Sequence, residues 1–206
     1  MIESIPDNLS EILSRQLDRL IEIKAYWFLH ITASLYRIQA QKAIKAFQWR
    51  EDLAEIGLDQ IALIDYRLSH DFLIKPGGIK SYITNPQKIQ NLIISQTLNG
   101  LLVIQAQWGK KYQEAEQTID SFRANYSELE QAGVLKEGLL AYLYLGKEIL
   151  EECGMEFPGS NTENGECPTL DFAHGEVRLL ESPGYASSCR YGCVSRGRIH
   201  ESNIAA

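Results

Sequence analysis

The cysteines, all late in the chain, have the most distinctive chemistry of any residues in this sequence. They are Cys153, Cys167, Cys189 and Cys193, and no cysteine precedes them. The intervals Cys167-x6-His174 and Cys189-x3-Cys193 place thiolates near an imidazole, and these groups are the usual ligands of tetrahedral zinc. Neither interval is a C-x2-C pair, so the first interpretation is free thiols and no cofactor. A zinc site at Cys167, His174, Cys189 and Cys193 is the second interpretation, and a disulfide is the third.

Aromatic and basic side chains are interleaved between Ala25 and Trp49. This segment lies in a stretch, from Glu22 to Glu51, that has no acidic residue between its ends. Such a mixture suits an acidic protein partner, a phosphate backbone or single-stranded nucleic acid. The alternative is that the aromatic residues belong to the core and the cations pair with acidic neighbouring helices. The residues that we predict to bind a partner are Trp27, Arg37, Lys42 and Lys45.

Signatures of catalysis are absent from the sequence. It contains no H-E-x-x-H, no P-loop and no G-x-S-x-G pattern. The triplet Ser69-His70-Asp71 is contiguous, and adjacent side chains on a helix point in different directions. We therefore predict that the protein is not an enzyme.

Composition and charge are those of an ordinary globular chain. Hydrophobic residues make up 45% of the sequence and charged residues 23%. The net charge of -7 argues against a dedicated nucleic-acid-binding protein, because such proteins usually carry an excess of basic residues. No segment approaches the roughly 20 apolar residues of a membrane span. The acidic N-terminus lacks the features of a signal peptide, so we expect a cytoplasmic protein.

Helical spacing of apolar residues dominates most of the sequence. The segment Ala25–Trp49 has two apolar stripes, one through Tyr36 and Ala40 and one formed by Phe28, Ile31, Leu35 and Ile38, which predicts neighbours on two sides. A break is expected near Glu22 to Lys24, because an unbroken helix from Asn8 would be too long for a compact domain. Further helices are predicted after Asp59 and over the ranges Pro86–Trp108, Lys110–Tyr126 and Leu135–Cys153.

The character of the sequence changes after Gly154. Residues 169–180 alternate around His174-Gly175 and predict a β-hairpin, while the remainder is typical of irregular chain. We therefore predict an all-α fold, either a multi-helix bundle or a short helical-hairpin array, with an irregular C-terminal tail. The predicted domains are a helical domain at 1–155 and a Gly/Pro/Cys-containing tail at 156–206.

Residues 141–146, AYLYLG, resemble the first helix of a tetratricopeptide repeat, and residues 109–115 are similar to its inter-helix turn. The two pieces lie further apart than the roughly 34-residue period of that family. No proline closes the repeat, so the chain is not assigned to the family.

These observations favour a non-enzymatic helical interaction module, an adaptor that binds a macromolecular partner through its aromatic and basic helix face. A protein is the expected partner. One alternative is a leader-type helical body that presents a C-terminal Cys-containing segment for modification. Another is a helical subunit of an assembly that contains nucleic acid.

Overall fold

The fold combines helices and sheets. The computed structural model describes residues 7–91, 100–108, 117, 130–131, 134–150, 154–157, 159–182, 190–191 and 193–196. The helices are α1 (Asp7–Glu22), α2 (Ala25–Phe28), α3 (Ala33–Ala46), α4 (Glu51–Glu55), α5 (His70–Ile74) and α6 (Leu135–Leu145), with 3-10 turns at Pro86–Lys88 and Lys147–Leu150. The strands are β1 (Gln60–Asp65), β2 (Lys80–Ser81), β3 (Gln90–Asn91), β4 (Leu101–Gln107), β5 (Glu130–Gln131), β6 (Met155–Glu156), β7 (Ser160–Asn161), β8 (Cys167–Ala173), β9 (Glu176–Ser182), β10 (Arg190–Tyr191) and β11 (Cys193–Arg196).

The described strands form three sheets. One has the order β1-β4-β11-β5 and is antiparallel throughout. A second has the order β10-β6-β8-β9-β2, in which the two outer pairs, β10–β6 and β2–β9, are parallel. The third is the short antiparallel pair β3–β7. The protein is therefore mixed α/β.

The predicted all-α fold, whether bundle or helical-hairpin array, is wrong. The segment after Asp59, expected to be a helix, is strand β1. The range Pro86–Trp108 was also expected to be a helix, but its residues Leu101–Gln107 form strand β4. These two strands pair in antiparallel register, with Ile61 opposite Gln105. Their sequences, QIALID and LLVIQAQ, are short apolar runs whose periodicity does not distinguish a buried strand from a buried helix. Pairing between these two distant segments makes them strands.

The helical part of the prediction is more accurate. The expected break near Glu22 to Lys24 is confirmed, since α1 ends at Glu22 and Lys24 has a left-handed φ of 60°. A second break, which was not predicted, separates α2 from α3 where His30 has φ 57°. Thr32 then begins α3 by accepting a hydrogen bond from the Leu35 N–H at 3.2 Å. The helix predicted over Lys110–Tyr126 lies outside the described residues, apart from Gln117.

One hydrophobic core joins the helices to both larger sheets. Helix α1 packs on β1, and α3 packs on β4 beside α1. The core also includes Phe157, Leu170 and Leu179, which are fully buried. The hairpin signal at residues 169–180 corresponds to β8 and β9, where Leu170 lies opposite Leu179. The division of the chain between residues 155 and 156 stays a prediction.

Side chains from two helices cover the outer side of β1, the terminal strand of its described sheet. The Gln16 amide of α1 donates to the Ile61 carbonyl at 3.0 Å and accepts from the Leu63 N–H at 2.8 Å. The Tyr144 hydroxyl of α6 donates to the Leu63 carbonyl at 2.6 Å. These bonds satisfy backbone groups that would otherwise be open to pairing with another strand.

Within the described ranges, each helix is too short or too polar to cross a lipid bilayer.

Candidate partner-binding face

The clearest candidate for a functional surface is formed by α2 and α3. Four large apolar side chains are exposed there, with exposed fractions of 71% for Trp27, 39% for Phe28, 42% for Leu35 and 51% for Ile38. Exposed apolar residues are common singly, but a group on two consecutive helices is typical of an interaction site. These four residues, together with Lys42 and Lys45, are called the α2–α3 face below.

The opposite side of α3 fixes its orientation. Tyr36 and Ala40 are fully buried against the core. Gln39 accepts a hydrogen bond at 2.8 Å from the guanidinium of Arg67, which also binds both carboxylate oxygens of Asp65 at 2.8 Å. Bidentate pairing of this kind fixes geometry as well as adding energy. Because this side is anchored, Leu35 and Ile38 must face outward.

Lys42 and Lys45 extend the line of apolar residues along α3. Lys42 follows Leu35 by seven residues, and Lys45 follows Ile38 by seven. Residues seven apart lie within about 20° of each other around a helix. Both lysines are exposed, and neither forms an ion pair with any described residue. One side of α3 is therefore apolar in its first half and basic in its second.

Trp27 and Arg37, the other predicted binding residues, have different surroundings. Trp27 is exposed on α2, with the Lys24 amine 6.0 Å from the centre of its ring. Arg37 is exposed but lies on the side of α3 that faces α1, where it pairs with Asp18 at 3.0 Å. The structure thus places Lys42 and Lys45 on the same side of α3 as Leu35 and Ile38, and directs Arg37 elsewhere.

Phe28, Leu35 and Ile38 were not among the predicted binding residues. The sequence places them in a second apolar stripe, which predicts a second neighbouring element. Phe28 does contact Phe72 of α5, with ring centres 4.6 Å apart, yet all three side chains remain exposed. Lysines at both ends of this stripe, Lys24 and Lys42, were the available signal that it borders solvent.

Two of the four predicted zinc ligands, Cys167 and His174, lie far apart in the structure. Cys167 is buried at the start of β8, with its Sγ 3.6 Å from the Pro168 carbonyl, and His174 is exposed in the turn after β8. Seven residues of extended chain span about 23 Å, so these two side chains cannot bind the same ion. Cys189 and the side chain of Cys193 lie outside the described residues. In the part of the chain that is described, no three His, Cys, Asp or Glu side chains are grouped as metal ligands would be.

Buried ionisable groups cluster where β1 meets α6. Asp65 is fully buried and paired with Arg67. The Tyr66 hydroxyl donates to the buried Glu137 carboxylate, and the Lys136 amine donates to the Tyr66 carbonyl at 2.6 Å. Burial lowers the pKa of Lys136, while the Asp65 and Glu137 charges oppose that change. The Tyr66–Glu137 and Lys136–Tyr66 hydrogen bonds connect the end of β1 to α6, which indicates that the cluster holds these two elements together.

His70 lies near this cluster at the start of α5. Burial lowers its pKa to about 4, and the positive charge of Lys136 acts in the same direction. A hydrogen bond to the Pro86 backbone partly opposes the change. Ser69 begins α5 by accepting from the Phe72 N–H, so the Ser69-His70-Asp71 triplet starts a helix.

A groove with a volume of about 340 Å³ lies between α6 and the β8–β9 turn. Its charged side chains already interact with other groups of the protein. The Lys80 amine is 3.1 Å from the Glu176 carboxylate, and the Lys147 amine is 5.3 Å from the centre of the Phe172 ring. The α2–α3 face remains the better candidate, because its lysines lack such partners among the described residues.

Comparison with known proteins adds no family to this description: no family model, no curated protein and no solved structure matches the chain.

Proposed function

We propose that this protein is a non-enzymatic interaction module, an adaptor that binds another protein through the α2–α3 face. The observation that supports this proposal most is the exposure of Trp27, Phe28, Leu35 and Ile38 on two consecutive helices. Tryptophan anchors are frequent at the energetic centres of protein interfaces. The cytoplasm is the proposed location.

The surroundings of the face favour a protein over nucleic acid as the partner. A phosphate backbone would leave Leu35 and Ile38 in contact with charged groups, whereas a protein interface has an apolar centre and a polar rim. The lysines at one end of the face would form part of that rim. The net charge of -7 further opposes the approach of a polyanion.

Site-specific photocrosslinking tests the proposal. Benzoylphenylalanine would be placed at Ile38, and at Tyr82 as a control, because Tyr82 is a 53% exposed aromatic residue on another part of the surface. We expect a covalent protein adduct from position 38 that is absent from position 82. Leu35→Asp should abolish the adduct.

The Leu35→Asp variant must remain folded for this result to have meaning. Exposed positions usually change the free energy of unfolding by about 0.5 kcal/mol or less, which urea unfolding measures. Identical adducts from positions 38 and 82, or no adduct from position 38 in cells of the source organism, would refute a partner-binding role for the face.

A further inference from the structure

We infer that the partner contributes an acidic amphipathic helix, which lies antiparallel to α3 and places its carboxylates over Lys42 and Lys45. This inference rests on the proposed function and adds the chemistry and orientation of the partner. It follows from the order of side chains along α3, where Leu35 and Ile38 come first and the lysines follow two turns later.

The charge of the surface favours carboxylates. No acidic residue occurs between Glu22 and Glu51, so α2 and α3 carry only positive charge. Among the described residues, Lys42 and Lys45 have no acid within ion-pair distance. Opposite charge at the rim of an interface raises the association rate and selects against wrong partners.

The width of the surface favours a single helix. Helix α1 lies beside α3 and exposes the carboxylates of Glu11, Asp18 and Glu22. An acidic partner broad enough to reach α1 would meet these carboxylates, and like charges facing each other across an interface oppose binding. A helix about 10 Å wide can cover the Leu35 and Ile38 side of α3 without reaching α1.

A second copy of this chain does not complement the face. If two α3 helices packed in parallel, Lys42 and Lys45 would meet the same lysines of the other copy. If they packed antiparallel, the lysines would lie against Leu35 and Ile38, and burying an unpaired charge is costly.

The direction of the partner helix follows from the helix dipole. In the antiparallel arrangement, the acidic residues of the partner occupy its first turns and its apolar residues follow. Carboxylates stabilise the N-terminal end of a helix. The N-terminal end of the partner, with its partial positive charge, would also lie beside the C-terminal end of α3, with its partial negative charge, so the two helix dipoles attract each other.

Selection from a displayed library of helical peptides tests the inference directly. The full-length protein would be the bait, and the positions on one face of the peptide helix would be randomised. We expect enriched sequences to carry Asp or Glu in the first turns and apolar residues two turns later. Lys42→Glu with Lys45→Glu should weaken their binding by about ten-fold and favour peptides with lysine in place of the acid.

Matched variants separate binding from stability. Lys75→Glu reverses the charge of an exposed lysine outside α3 that forms no ion pair with a described residue, and it should leave peptide binding unchanged. Lysines near the end of α3 also complement its dipole. If that were their only role, Lys42→Glu with Lys45→Glu would lower stability and leave peptide selectivity unaltered, which would overturn the inference.

Other ligands give distinguishable results. Binding to phosphatidylserine vesicles or to single-stranded DNA that is lost in the Lys42 and Lys45 variant would overturn the inference in favour of a membrane or a nucleic acid. Enrichment of uncharged or basic peptides, or of none, would also overturn it. An adduct from position 38 would still support the proposed function in those cases, so the two can fail separately.

Discussion

At the scale of single residues, His70 is expected to link stability to pH. Its pKa is lowered from 6.5 to about 4 in the folded protein, so between these pH values the unfolded chain binds a proton that the folded protein does not. The contribution of His70 to stability is therefore complete above about pH 6.5 and is lost as the pH falls towards 4. We expect a loss on the order of 3 kcal/mol, since one pKa unit corresponds to about 1.4 kcal/mol.

The comparison needed is urea unfolding of the natural protein and of His70→Gln at several pH values between 7 and 4. Carboxylates and the other histidines titrate in both proteins, so the difference between them isolates His70. A difference in unfolding free energy that does not change with pH would show that His70 is not held neutral by burial.

Gly138 shows how packing can reverse an ordinary helix preference. In the middle of a helix, alanine is usually more stable than glycine by about 0.5–1 kcal/mol. A Cβ at Gly138 in α6 would lie only 2.0 Å from the ring of Phe157. We therefore expect Gly138→Ala to lower the melting temperature.

A double-mutant cycle with Phe157→Ala checks the cause. Removing the ring creates a cavity and is destabilising by itself, but it should make Gly138→Ala neutral or favourable. Additive effects of the two substitutions would contradict a direct clash.

The sequence predicts some surface residues correctly and cannot predict others. The segment without acidic residues predicts a binding surface that includes Trp27, Lys42 and Lys45, and all three are exposed. Leu35 and Ile38 have the same spacing as core residues, and only the lysines at the two ends of their stripe, Lys24 and Lys42, indicate that it is left open to solvent. Their role as binding residues remains a proposal.

At the scale of elements, predictability depends on whether the signal is local. The break after α1 is predictable from length alone, and the turn between β8 and β9 from the alternation around Gly175. Strand β1 is different, because QIALID has no strand alternation and its pairing with β4 joins segments some 40 residues apart in the chain. Such buried runs become strands through tertiary contacts.

Gln16 is expected to protect the terminal strand β1. Its side chain satisfies the Ile61 carbonyl and the Leu63 N–H. Gln16→Leu keeps the size of the side chain but removes both hydrogen bonds, and a buried backbone group left without a partner costs about 1–3 kcal/mol. We expect a decrease in the free energy of unfolding of roughly 2–4 kcal/mol, with faster hydrogen exchange at the Leu63 amide.

Gln41→Leu is the matched control, because Gln41 is exposed on α3. Its effect on stability should stay within about 0.5 kcal/mol. Unchanged exchange at Leu63 in Gln16→Leu would mean that other groups protect this edge.

At the scale of the whole molecule, the C-terminal strands belong to the same core as the helices. Val134, just before α6, and Leu139, within it, are buried in one cluster with Phe157 and Leu170. The Ser160 hydroxyl accepts a hydrogen bond from the Leu135 N–H at 2.9 Å, and so helps to begin α6. A change in composition after Gly154 indicates a different kind of structure there, but it carries no information about contacts across that point.

Truncation after Gly154 tests whether residues 1–154, which end one residue before the predicted domain boundary, fold as a unit of their own. The deletion would remove Phe157, Leu170 and Leu179 from the core and would expose the apolar residues that they cover. Because each large-to-small substitution at such positions typically costs about 2–5 kcal/mol, we expect the truncated chain to lose its cooperative thermal transition. The full chain with Leu170→Ala should keep the transition at a lower temperature. A truncated chain that melts cooperatively near the temperature of the intact protein would instead establish the N-terminal part as an independent domain.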